Sequence, residues 1–194
     1  MKKSSIAILS AFAALALLAG CTTSTSEDVS HSDHGDHSDH GEMSSAVMGE
    51  TETMFATMMI PHHEQAIEMS ELALSNSTNE DVRKLAQQII DAQAGEIKQM
   101  QAWIDDHGHE VHADHEMAGM ASEEDLAKLK SLSSPEFDEL FLKLMVVHHE
   151  GALDMVSMLD GTDQQEAKEL AKHIVEVQKA EIDLMNRLLS ELGS

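Results

Sequence analysis

The chain has 194 residues, with 36 Asp and Glu against 12 Lys and Arg, 13 His, 14 Met, one Cys and no Tyr. A surface this acidic repels phosphate backbones and anionic headgroups, which excludes nucleic acid as a partner and makes cations the natural ligands. Cys21 is the single cysteine, so no disulfide framework or thiolate metal site exists, and any metal must be held by His, Met, Asp or Glu.

Lys2 and Lys3 precede an apolar run from Ile6 to Leu18, which ends in Leu18-Ala19-Gly20-Cys21. A basic start, an apolar stretch too short to span a bilayer comfortably and small residues before the cut make up a secretory signal, here resembling that of a bacterial lipoprotein. Residues 1–20 are expected to be removed, with Cys21 becoming the lipid-bearing first residue of an extracytoplasmic, membrane-anchored protein, periplasmic or at the cell surface. Residues 21–50 are rich in Ser, Thr, Asp, His and Gly and bury too little apolar surface to offset the entropy of ordering, so a disordered tether is expected. Within it His31, His34, His37 and His40 recur at every third position among carboxylates, a composition that reads as metal capture.

From about Thr53 a 3.6-residue hydrophobic period takes over and holds to Leu192. It predicts a first long helix over roughly 51–76, a turn and N-cap in Ser75-Asn76-Ser77-Thr78-Asn79, and a second long helix over 79–107. A short helix over 123–131 follows Ser122, a third long helix opens at Ser134-Pro135-Glu136 with Ser as its N-cap, and Gly161-Thr162-Asp163 separates it from a fourth over 163–192.

The helices come in two copies. Phe55-Ala-Thr-Met-Met59-Ile-Pro-His62-His63-Glu64-Gln-Ala66-Ile-Glu-Met69 returns as Phe141-Leu-Lys-Leu-Met145-Val-Val-His148-His149-Glu150-Gly-Ala152-Leu-Asp-Met155. Leu85-Ala86, Ile89, Gln93, Glu96-Ile97 and Met100 return in the same spacing as Leu170-Ala171, Ile174, Gln178, Glu181-Ile182 and Met185. Two repeated hairpins predict an all-α, four-helix bundle with pseudo-two-fold symmetry over residues 51–192, interrupted by a His/Met-rich loop at 106–121.

Helical geometry puts both histidines of each copy on the inward stripe, and Gln93, Glu96, Gln178 and Glu181 on the inward rows of the other two helices. Buried carboxylates are costly unless paired, so the two glutamates and four histidines are expected to pair with one another or to share a cation. Met59 and Met145 lie one turn before the histidines on the same face. The candidate core ligands are therefore Met59, His62, His63, Glu96, Met145, His148, His149 and Glu181. Thioether with imidazole favours copper(I), whereas imidazole with carboxylate suits copper(II), zinc or iron. The same groups would also make a hydrogen-bonded layer that only fixes helix register, oriented by Gln93 and Gln178. A metal site is preferred because the polar pairs recur in all four helices. Met69, Met100, Met155 and Met185 read as core filler, and Trp103 and His173 as structural or exposed.

The loop carries His107, His109, His112, His115, Met117 and Met120 and reads as a second, mobile metal-capture segment. No metalloprotease histidine spacing, Glu-x-x-His pair, nucleophile elbow or phosphate loop occurs. An ordinary hydrolase or a ferritin-like ferroxidase therefore lacks its usual residues.

Met-Ile-Pro-His62-His63-x-x-Ala66-Ile, Gln93-x-x-Glu96-Ile and Phe137-Asp138-x-x-Phe141-Leu-x-x-Met145-x-x-His148-His149-x-Gly151-Ala152 resemble the bacterial family known as domain of unknown function 305. The resemblance spans roughly residues 51–192. It implies a ferritin-like four-helix bundle and an exported protein, and, because some members are implicated in copper binding and resistance, a copper-handling role. The motif's proline is Val147 in the second copy, which leaves the histidine spacing intact. Together these readings predict a lipid-anchored protein that captures copper through His/Met sites, with zinc or iron as lesser candidates. Its partners would be metal ions and, through Cys21, a membrane; self-association into a homo-oligomer stays open. The alternatives are a metal-dependent redox enzyme using the same core, or a metal-free helical interaction module.

Overall fold

The computed structural model describes residues 48–107 and 117–193. Helix α1 spans Glu50–Asn76, α2 Glu80–His107, α3 Glu123–Ser131, α4 Glu136–Val156 with a 3-10 turn at Ser157–Leu159, and α5 Gln165–Leu192. The described residues contain no strand, and the four long helices form the predicted all-α bundle, with α3 as a short fifth helix.

Local chemistry sets the helix ends. Glu52 Oε2 accepts the Gly49 N–H at 2.9 Å, and Glu50 and Glu52 lie in the first turn of α1, where the helix dipole favours anions. At the other end of α1, the Arg83 guanidinium donates to the C=O groups of Leu74 and Ser77, which the helix itself leaves unpaired. Asn79 caps α2 through Oδ1, which accepts the N–H groups of Asp81 and Val82, and Ser122 caps α3 by accepting from Asp125 N. Ser134 departs from expectation. Its Oγ accepts the Thr78 N–H at 2.8 Å in the α1–α2 turn instead of capping its own helix, which starts one residue beyond Pro135. The hydroxyl thus ties the two hairpins together at one end of the bundle. At the other end, Thr162 Oγ1 donates to Glu52, joining the α4–α5 turn to the start of α1.

α1 packs along α2 and α4 along α5, with α1 and α4 in contact through the middle, whereas α2 and α5 meet only lightly. The apolar core falls into two clusters. One gathers Phe55, Met59, Met100, Trp103, Ala152, Met155, Leu170 and Ile174. The other gathers Phe141, Met145, Met185, Ala66, Met69, Leu85 and Ile89. Residue by residue the second cluster is the repeat mate of the first: Phe55 pairs with Phe141, Met59 with Met145, Met69 with Met155, Ile89 with Ile174. The early part of α1 therefore lies with the late part of α4, and the two helices run antiparallel about a pseudo-two-fold axis that exchanges the clusters. Met69, Met100, Met155 and Met185 are buried within the clusters, as core filler should be. Between the clusters, at the axis, lie the polar residues of the repeat.

Candidate functional site

His62, His63, His148 and His149 are all fully buried, and Gln93, Gln178 and Glu96 nearly so. His63 Nε2 lies 2.7 Å from Glu96 Oε2, and His149 Nε2 lies 2.7 Å from Glu181 Oε2. The rings of His62 and His63 are 6.4 Å apart at 55°, those of His148 and His149 6.3 Å apart at 56°. Across the axis His62 and His148 meet face to face, with centroids 3.8 Å apart and planes inclined by 38°. The doubled His-His element thus builds one layer, with an imidazole pair at its centre and a His–Glu pair on either flank.

The layer is under-satisfied. Nδ1 of all four histidines, Nε2 of His148 and both amide atoms of Gln93 and Gln178 are buried without a hydrogen-bond partner. An orphaned buried polar atom costs about 1–3 kcal/mol, so a layer serving only to fix register would be a poor solution. Burial, reinforced by the neighbouring His63 and His149, lowers the His62 pKa to about 4, against a weaker opposing effect of its bond to Ala118. His148 is also held well below the ordinary histidine range, by burial first and by His62, His149 and His63 after it, against a weaker opposing effect of the His62 backbone. At neutral pH these two rings are uncharged, the form in which a ring nitrogen offers a lone pair to a metal. Among the described residues no three His, Cys, Asp or Glu side chains lie close enough to hold one ion. Imidazole and carboxylate alone therefore do not make a chelate in this arrangement. Met59 and Met145, both fully buried, flank the layer from opposite clusters and are the nearest thioethers in sequence to the central imidazoles.

One segment breaks the symmetry. After the loop the chain crosses the α1/α4 seam at residues 117–122, and the Ala118 C=O accepts from His62 Nε2 at 3.0 Å. Gln65 clasps the crossing with both amide atoms: Ala121 N–H donates to Oε1 at 2.7 Å, and Nε2 donates to Ala121 O at 3.0 Å. On α4 the equivalent position is Gly151, where a Cβ would stand 2.1 Å from Ala118 O. Gly119, at φ +79°, is equally crowded against the Val147 C=O. His148 has no such contact with the crossing, and neither of its ring nitrogens makes a well-formed hydrogen bond.

Of the loop ligands, Met117 is half-buried against the Phe55 cluster, Met120 is half-buried beside it in sequence, and His107 is the last residue of α2. His109, His112, His115, the histidines at 31, 34, 37 and 40, and Cys21 lie outside the described residues. Glu64 and Glu150 face solvent. Sequence reasoning passed over Gln65, Gly151 and the 117–122 crossing. The signal was present, since glutamine against glycine is a disparity within a well-kept repeat, but only the tertiary contact gives it meaning. His173, read from the sequence as structural or exposed, is exposed and lies 3.7 Å from Glu96.

The sequence profile of the family described as Domain of unknown function (DUF305) matches residues 52–189. Among solved structures, a DUF305 protein from Streptomyces coelicolor is 33% identical, with a TM-score of 0.70 over 74% of this chain and 94% of that one. A DUF305 fragment from Deinococcus radiodurans is 34% identical, with a TM-score of 0.67 over 74% and 97% of the two chains. CopM in its Cu(I)-bound form is 33% identical, with a TM-score of 0.62 over 72% of this chain and 96% of its own, and CopM has also been solved with Cu(II) and with Ag. A comparison with curated proteins finds no match.

Proposed function

The chain belongs to the domain of unknown function 305 family, and from that premise we propose that it is an extracytoplasmic copper-binding protein, lipid-anchored through Cys21, that holds copper in or beside the buried histidine layer. The observation that carries this reading is the concentration of orphaned ring nitrogens at the pseudo-two-fold axis, with a buried methionine on either side. Neutral imidazole and thioether are soft, uncharged donors, suited to copper(I) in a site shielded from water. His62 and His148 would supply nitrogen, Met59 and Met145 sulfur. Glu96 and Glu181 accept from His63 and His149 and so fix those rings, the role a carboxylate plays behind a ligating histidine. Support from relatives is specific: CopM, 33% identical in its Cu(I)-bound form, has been solved with Cu(I), Cu(II) and Ag.

The histidines at 31, 34, 37 and 40 and those at 107, 109, 112 and 115, with Met117 and Met120, act in this reading as outer capture segments. They gather the ion from dilute solution, while the layer retains it. Lipid attachment would keep the protein at the membrane, where incoming metal first arrives.

Copper(I) titration against a competing chelator, on the full chain and on His148→Leu, tests the core site. The wild-type chain should show a tight class of site that the variant lacks, with sulfur scattering at the copper edge in the wild type. Identical stoichiometry and affinity in both chains would sink the proposal.

A further inference from the structure

α2 and α5 meet only lightly, and each flank of their seam opens a cleft to solvent beside one of the layer glutamates. The first cleft is lined by Ala92, Gly95, Glu96, Gln99, Glu169 and His173, among others. The second is its repeat mate, lined by Val177, Ala180, Glu181 and Leu184 with Gln88 and Ala92. The helical scaffold is shared, but the polar equipment is not. His173 stands where the second hairpin helix has Gln88, Gln99 where the fourth long helix has Leu184, and Glu169 where α2 has Lys84. Only the first cleft combines an imidazole with a carboxylate beyond the layer glutamate.

Within it, His173 Nε2 lies 3.7 Å from Glu96 Oε1. That is beyond hydrogen-bond reach, and within ion-pair distance only when the ring is protonated. It is close to the spacing of two donors on one tetrahedral ion, about 3.4 Å for metal–ligand bonds near 2.1 Å. The Glu96 side chain is only 6% exposed, whereas that of His173 is 57% exposed, so the pair reaches from the wall of the core to open solvent. The other Glu96 oxygen is already committed to His63 at 2.7 Å, which fixes the carboxylate and aims Oε1 outward. No lysine or arginine lines the cleft to compete for that oxygen. Glu169, one turn before His173 on α5, lines the same cleft but does not come close enough to share an ion with the pair.

We propose that Glu96 Oε1 and His173 Nε2 form a second, solvent-facing metal site that takes a divalent d-block cation of the Cu(II) or Zn(II) class, with water completing its shell. Its nitrogen and oxygen donors contrast with the nitrogen and sulfur of the buried layer, so the two sites favour different ions or oxidation states. Glu96 touches both, which makes it the structural link between a cation at the surface and His63 inside. The site stands on its own pair of donors and does not require that the layer hold copper.

Zn(II), being diamagnetic, is the probe. In the full chain labelled with 15N-histidine, Zn(II) titration should shift a ring signal assignable to His173 by its disappearance in His173→Gln. Crystals of the full chain soaked in Zn(II) should give an anomalous peak between Glu96 and His173 and none beside Glu181. In His173→Gln, an exposed change that leaves the core intact, the peak should vanish and affinity at this site fall at least tenfold. Gln88→His should create the missing donor and bring a peak to the second cleft. An unmoved His173 signal at saturating Zn(II), or equal peaks in both clefts of the wild-type chain, would overturn the proposal.

Discussion

Gln65 and Gly151 occupy the same place in the two copies of the helical repeat and hold opposite sides of one crossing segment. Gln65 grips Ala121 with both amide atoms, and Gly151 leaves the space through which the Ala118 carbonyl passes to reach His62. The pseudo-symmetric bundle is thus closed over by a single segment that can lie on only one of its two equivalent faces. The same segment follows directly on the His/Met-rich loop, and its Ala118 carbonyl lies against His62.

Gly151→Ala should expel the crossing from the seam, because the new Cβ would meet Ala118 O at 2.1 Å. A loss of about 2 kcal/mol is expected, as for overpacking elsewhere. Gln65→Ala removes two hydrogen bonds and should cost about 1–2 kcal/mol without a steric clash. Urea unfolding measures both, and amide exchange should quicken at Ala121 in each variant.

His148→Leu should leave the metal-free protein as stable as the wild type or about 1 kcal/mol more stable, since it removes two unpartnered ring nitrogens and fills the space with carbon. A site kept against the stability of the fold is the mark of function. Marked destabilisation of the metal-free variant in denaturant unfolding would instead make the layer structural.

Acidification should weaken the metal-free fold. The His62 pKa is lowered from its ordinary value to about 4 and that of His148 is lowered in the same direction, so the unfolded chain binds protons at a pH where the folded one does not. The stability that the neutral His62 ring contributes is complete above about pH 6.5 and is lost as pH falls toward 4, at up to about 1.4 kcal/mol per pH unit, and His148 acts in the same direction. The groups facing the pair are His63 and His149 from α1 and α4, with Glu96 and Glu181 behind them from α2 and α5. Urea midpoints measured from pH 4 to 8 should show a shallower slope in His148→Leu than in the wild-type chain.

Cys21→Ser should release the protein from the membrane fraction while leaving helix content and copper stoichiometry unchanged. Detergent phase partitioning of cell extracts reads the difference. A serine variant that still partitions with detergent would show that Cys21 is not the anchor.

Repetition made much of the fold legible in advance. Because Phe55 and Phe141, or Glu96 and Glu181, recur with their whole helical faces, periodicity gave the long helices within a few residues and identified which side of each turned inward. Burial of both histidines in each pair followed from the width of the apolar stripe. Helix starts were legible where a side chain caps its own backbone, as at Ser122 and Asn79, and misleading at Ser134, whose hydroxyl found a partner in another hairpin.

The sequence by itself determined the all-α class, the twofold architecture and the membership of the polar layer, because each of these depends on spacing along one helix. Tertiary structure decided the rest, because it depends on which helices meet. It set His62 against His148 instead of beside a glutamate, sent Met59 and Met145 to opposite clusters, and laid the 117–122 crossing over one face. It also carried Glu96, through a loosely packed α2/α5 seam, to the side of His173. Distances between residues 77 or 86 positions apart are fixed by packing, and no periodicity in the chain encodes them.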